Sequence, residues 1–210
     1  MTYIALLGLG VVGRGTLDLL ENNRDLLASR LGGDIEVKYI LDLRDFPDTP
    51  FAGKVVHDFE IILRDPEVTL VAEMMGGAHP AYDYTKAALA AGKSVVTSNK
   101  EVVATFGEEL LQIAKANGVT YAFEASVGGG IPIVRPLAND FLSGEVTGIF
   151  GILNGTTNYI LTEMTAKGRS FADALADAQA KGYAEKDPTA DVDGIDTCRK
   201  ICILTGIATG

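Results

Sequence analysis

Several groups of residues along the 210-residue chain have types and spacing that could do chemistry. Gly8, Gly10 and Gly13, with Val11 and Val12 between them, form a G-x-G-x-x-G turn. After a strand and before a helix, such a turn sets backbone N–H groups and a helix N-terminus against a dinucleotide pyrophosphate. The first glycine permits the tight turn, the second lets the backbone approach the anion, and the third lets helix and strand pack closely. Beyond it, Asp42, Arg44 and Asp45 fall where an adenosine ribose would lie, further from the glycines than the roughly 20 residues usual for this motif. A carboxylate there accepts from a 2′-hydroxyl and favours NAD, whereas Arg44 can pair with a 2′-phosphate and favours NADP. Asp45 reads equally well as a solvated loop charge.

Gly76-Gly77-Ala-His79-Pro80 and Thr97-Ser98-Asn-Lys100 are loops of the same kind. Paired glycines allow close backbone approach, and Lys100 at a cleft mouth could donate a proton or anchor a substrate. His79 before proline reads as turn chemistry. Glu124-Ala-Ser-Val-Gly-Gly-Gly-Ile-Pro132 joins a carboxylate to a glycine run whose carbonyls could help hold a hard cation. Between Gly182 and Lys200 lies an acidic loop without the EF-hand spacing or its terminal Glu. That loop could grip a cationic amino group, while Lys200, held by Asp196 one helical turn earlier, handles a developing alkoxide. Without other information it also reads as a solvated loop with an ordinary helical ion pair.

The elements that must position these residues alternate. Strands are expected at Thr2–Leu7, Ile35–Leu41, Val68–Met75, Ser94–Thr97 and Val119–Glu124, with helices at Val11–Arg30, Pro80–Ala91 and Glu101–Ala116. That rhythm predicts an α/β fold, a Rossmann-type doubly wound parallel sheet whose ligands bind beyond the carboxyl ends of the strands. A helix over Ile133–Leu142 then leads to a strand over Val146–Leu153, which opens a second region rich in polar loops. The expected domains are 1–135, dinucleotide-binding, and 136–210.

The formal net charge of −10 and the absence of a basic stripe argue against nucleic acid or an anionic membrane as partner. No apolar run approaches the roughly 20 residues of a membrane span, and no signal peptide is recognisable, so a cytoplasmic protein is expected. Cys198 and Cys202, four apart in one helix, read as buried thiols rather than a disulfide or a metal site.

The glycine turn, Thr97-Ser-Asn-Lys100, Glu124 through Pro132, Gly151-Ile-Leu-Asn-Gly-Thr-Thr-Asn-Tyr159 and Gly182-Tyr-Ala-Glu-Lys-Asp-Pro188 through Lys200 together resemble the homoserine dehydrogenase family over nearly the whole chain. The resemblance implies reversible hydride transfer between NADP or NAD and the C4 carbon shared by homoserine and aspartate 4-semialdehyde, in aspartate-derived amino-acid synthesis. It implies Lys200 as general acid–base, Lys100 as its alternative or partner, Asp196 orienting Lys200, and Glu185 and Asp191 binding the substrate's amino-acid end. The cofactor-binding residues would be Gly8, Gly10, Val11, Val12, Gly13, Arg44, Gly76, Gly77, Ser98 and Lys100. It also implies a monovalent cation, sodium, at Glu124, Val127, Gly129 and Ile131, and a homodimer at full length. Family chains continue well beyond this one, which implies that 136–210 is a partial substrate domain, the first part of an incomplete α+β unit. Competing readings are a related Rossmann dehydrogenase acting on another amino acid or semialdehyde, and a dinucleotide-sensing protein without turnover. The latter would need neither Lys100 nor the Asp196–Lys200 pair.

Overall fold

The computed structural model describes residues 1–141 and 144–210 and divides into two compact units, Met1–Ser126 and Val127–Gly210. Residue 135, where the domain boundary was expected, falls inside the second unit.

In the first unit β1 (Thr2–Leu7) is flanked by β2 (Ile35–Leu41) and β4 (Val68–Glu73); β3 (Val55–Val56) pairs outside β2, while β5 (Ser94–Thr97) and β6 (Tyr121–Ala122) extend the other side. All pairings are parallel and the order is β3-β2-β1-β4-β5-β6. Parallel strands covered on both faces read as apolar runs rather than alternating ones, and Ile4, Ala5, Leu6 and Leu7 are all buried in succession. The helices are α1 (Val11–Asn22), α2 (Arg24–Leu31), α3 (Phe59–Arg64), α4 (Ala81–Ala90) and α5 (Lys100–Ala116). Leu17 on α1 packs into the cluster formed by Ile4, Leu6, Val37, Ile40 and Ala72.

The single helix expected over Val11–Arg30 is broken at Asn23, whose backbone lies at φ −117°, ψ 22° and whose Nδ2 donates to Leu19 O at 2.8 Å. An asparagine side chain that bonds nearby backbone competes with helix propagation. β3 and α3 went unpredicted: β3 is only two residues, and α3 is a six-residue helix started by Asp58, whose carboxylate accepts from Glu60 N–H at 2.9 Å.

The second unit contains α6 (Val134–Asn139), α7 (Gly155–Lys167), α8 (Phe171–Ala180), α9 (Thr189–Val192) and α10 (Ile195–Thr209). Leu142, the end of the helix expected from Ile133, lies outside the described residues. The strand expected over Val146–Leu153 does not form. β-propensity measures fit to a pleated, half-buried surface, and no strand of this unit pairs with the segment among the described residues, leaving Phe150 98 % exposed. Cys198 and Cys202 are free, as expected, but exposed rather than buried, because they lie on a face of α10 that this chain leaves open. No helix among the described residues is long and apolar enough to cross a membrane.

Candidate functional site

The glycine turn forms where β1 ends. Gly8 N–H donates to Leu41 O at 2.8 Å, and Gly8 adopts φ +90°, which strains any other residue, with Met74 O only 3.1 Å from where a Cβ would stand. At Gly13 a Cβ would stand 2.1 Å from Gly8 O, so only glycine lets α1 approach β1 this closely. A Cβ at Gly10 would meet nothing within 4 Å. The protein's own packing therefore does not demand glycine there, which leaves close approach of a ligand as its reason. No side chain among the described residues caps α1, so the helix offers its first N–H groups to an anion. Val11 and Val12 are exposed on this first turn. Beside it opens a cavity of about 450 Å³ whose lining includes Gly8, Gly10, Asp42, Arg44, His57 and Gly76.

Asp42 and Arg44, alternatives in the sequence reading, are partners in the structure. The Asp42 carboxylate accepts from Leu9 N–H at 2.8 Å and from Arg44 Nε and Nη2, both at 2.9 Å, while Arg44 Nη2 also donates to Leu9 O at 2.9 Å. Its side chain is 8 % exposed against 61 % for Arg44, and the guanidinium holds its carboxyl far below the ordinary range. Asp42 thus braces the glycine turn, and Arg44 is the charge presented outward. His57 escaped the sequence reading. Its Nδ1 lies 2.7 Å from Asp42 O and its Nε2 2.9 Å from Asp45 Oδ1, two acceptors that favour the protonated ring. The Asp42 carbonyl and the Asp45 carboxylate raise its pKa. Asp45, read as a possible solvated loop charge, is therefore paired.

Gly76 and Gly77 follow β4 and are exposed; Ser98 and Lys100 follow β5 and are half-buried. The two loops are joined through Asn99, which caps α5 and whose Nδ2 donates to Gly77 O at 2.8 Å and Met75 O at 3.3 Å. Beneath them Glu73 is fully buried at the end of β4. His79 is exposed and paired with Asp83 at 2.7 Å at the start of α4.

In the second unit the structure brings Asp191, Asp196 and Lys200 together around Asn154. Lys200 Nζ donates to Asp196 Oδ2 at 2.7 Å and to Leu153 O at 2.8 Å. Asn154 Nδ2 donates to Asp191 Oδ1 at 2.6 Å and to Asp196 Oδ2 at 2.9 Å, while its Oδ1 caps α7 by accepting from Thr157 N–H at 2.8 Å. Asp196 is 4 % exposed and Lys200 18 %. A cation held by a nearly buried carboxylate and a backbone carbonyl is fixed in place. Glu185 is exposed before α9, with its carbonyl accepting from Gln179 Nε2 at 3.1 Å; no hydrogen bond joins its carboxylate to this cluster among the described residues.

Glu124 lies half-buried in the turn after β6, in the first unit, while Val127, Gly129 and Ile131 belong to the second. Gly128 and Gly129 both have positive φ, and Ile131 N–H closes that turn onto Gly128 O at 3.0 Å.

The parallel sheet, the uncapped glycine-rich helix start and the adjoining cavity define a Rossmann-type dinucleotide-binding protein. Residues 8–124 match the family profile described as homoserine dehydrogenase, NAD binding domain, and residues 132–210 match that of homoserine dehydrogenase. The chain belongs to the homoserine dehydrogenase family. It is 44 % identical over 209 residues to homoserine dehydrogenase from Pseudomonas aeruginosa, covering 99 % of this chain and 48 % of that protein. A crystal structure of a homoserine dehydrogenase from Thiobacillus denitrificans superimposes with a TM-score of 0.92 at 42 % identity, covering 99 % of this chain and 48 % of that one. A hyperthermophilic archaeal homoserine dehydrogenase in complex with NADPH superimposes with a TM-score of 0.87 at 27 % identity, covering 99 % and 69 %. The chain spans about half the length of the curated relatives it matches.

Proposed function

We propose that the full-length protein interconverts homoserine and aspartate 4-semialdehyde with NADP or NAD. The reading rests above all on the nearly buried Asn154–Asp191–Asp196–Lys200 cluster, which a dinucleotide-sensing protein has no use for. When bound, the nicotinamide supplies the hydride acceptor for the carbon bearing the substrate's hydroxyl. Gly8, Gly10, Val11, Val12 and Gly13 hold the pyrophosphate on the start of α1, and Gly76, Gly77, Ser98 and Lys100 line the cofactor's path beyond β4 and β5. Lys200, kept in place by Asp196 Oδ2 and Leu153 O, takes the proton from the hydroxyl and returns it in the reverse direction, with Lys100 as alternative or partner. Glu185 and Asp191 bind the substrate's amino-acid end, attracting its ammonium group.

A hard cation such as sodium is proposed to take oxygen ligands from Glu124 and from the carbonyls of Val127, Gly129 and Ile131. In this reading the protein acts in the cytoplasm as a homodimer. Steady-state reduction of NADP and NAD by the full-length protein tests the reading: turnover with homoserine and little with neighbouring amino-acid alcohols is expected, whereas dinucleotide binding without turnover would contradict it.

Arg44, exposed beside the cavity, is proposed to take the 2′-phosphate of NADP, so that NADP is accepted as cofactor. Arg44→Gln is then expected to weaken NADP about tenfold to a hundredfold, the range of a charge-assisted hydrogen bond. NAD affinity changes much less. Fluorescence titration with both dinucleotides checks this, and equal losses for the two would contradict it.

A further inference from the structure

Glu73 is a fully buried carboxylate that the reaction above does not use. A carboxylate taken out of water is costly unless its oxygens are bonded, and burial pushes its pKa up. Its partners belong to both loops beyond the central strands. Oε1 accepts from Met75 N–H at 2.7 Å, at the start of the Gly76-Gly77 loop. Oε2 accepts from the hydroxyl of Thr97, whose oxygen in turn accepts from Asn99 N–H at 2.9 Å, one residue before Lys100. Asn99 closes the ring by donating to the carbonyls of Met75 and Gly77. The titratable group facing Glu73 from a neighbouring element is Tyr121 on β6, its phenol pushed up by burial and by the charge of Glu73; Thr97, Asn99 and the Met75 amide do not titrate.

We propose that Glu73 is a positioning residue for the cofactor: its ionised carboxylate ties the 75–77 and 97–100 loops into one platform, so that losing the charge loosens dinucleotide binding before it disturbs the fold. The proposal rests on the dinucleotide-binding reading. In Glu73→Gln the amide oxygen can still accept from Met75 N–H, but the amide NH2 then faces the Thr97 hydroxyl, which loses the acceptor for its own O–H. In the full-length protein, the Kd for NADP is expected to rise about tenfold, with the KM for homoserine unchanged and the melting temperature nearly so. The wild type should also lose cofactor affinity as pH falls through the titration of Glu73, and the Gln variant should lack that acid limb.

Thr97→Val removes one donor to Glu73 without touching charge and should weaken NADP in the same sense, which keeps the test sound if the Gln variant folds poorly. Tyr121→Phe removes a buried hydroxyl with no hydrogen-bond partner among the described residues and should leave affinity unaltered. An unchanged Kd in both Glu73→Gln and Thr97→Val, or losses that only track the folded fraction, would overturn the proposal. Absence of NADP binding to the wild type would instead overturn the dinucleotide reading itself.

Discussion

Gly13→Ala is expected to weaken NADP and NAD binding by the full-length protein about a hundredfold, the loss of about two charge-assisted hydrogen bonds between the start of α1 and the pyrophosphate. The added Cβ would stand 2.1 Å from Gly8 O. Both sides of this clash are backbone, so no side chain can rotate away, and α1 must retreat from the end of β1. That shift moves the helix N-terminus from the position where its N–H groups meet the pyrophosphate, and overpacking of this kind also destabilises by about 1–3 kcal/mol. Gly15→Ala is the control, since a Cβ there meets nothing within 4 Å and alanine suits a helix interior better than glycine. Calorimetric titration of both variants, with circular dichroism to confirm folding, checks the expectation. Affinity for Gly13→Ala within a fewfold of the wild type would contradict it.

Lys200→Ala is expected to lower kcat by about 10²–10⁴, the usual contribution of a positioned acid–base group, with a much smaller change in KM for the cofactor. The same truncation removes the ion pair to the nearly buried Asp196, and breaking a buried pair costs about 3–5 kcal/mol. Loss of activity alone would therefore be ambiguous. Small primary amines added to a folded Lys200→Ala protein should restore part of kcat, which a merely unfolded protein cannot show. Undiminished turnover in this variant would remove Lys200 from the mechanism.

Most of the first unit was legible in the chain because its sheet is parallel. β1, β4 and β5 are largely apolar runs and β2 is rich in β-forming residues, all set between helical patterns, and glycines mark the turn after β1 and the loop after β4. β3 was not legible, since two residues carry no periodicity and β3 exists only by pairing with Ile40 and Leu41. Val146–Leu153 shows the converse error: β-rich composition without a pairing strand does not make a ladder.

The site divides in the same way. The glycine turn and the Asp196–Lys200 pair follow from local spacing. Asn154, by contrast, meets Asp196 across 42 residues, His57 meets Asp42 across 15, and Thr97 meets Glu73 across 24, contacts that only the fold creates. Two of these left a local trace. Glu73 is a carboxylate closing an apolar strand before paired glycines, and Asn154 stands at the N-cap of α7 before Gly-Thr-Thr.

Hydride transfer itself is the claim to measure. Homoserine carrying deuterium at C4, incubated with NADP and the full-length protein, should yield reduced cofactor with deuterium on the nicotinamide C4 and aldehyde retaining the other label, as followed by NMR. Reduced cofactor carrying only protium at that carbon, or no reduction at all, would contradict the account.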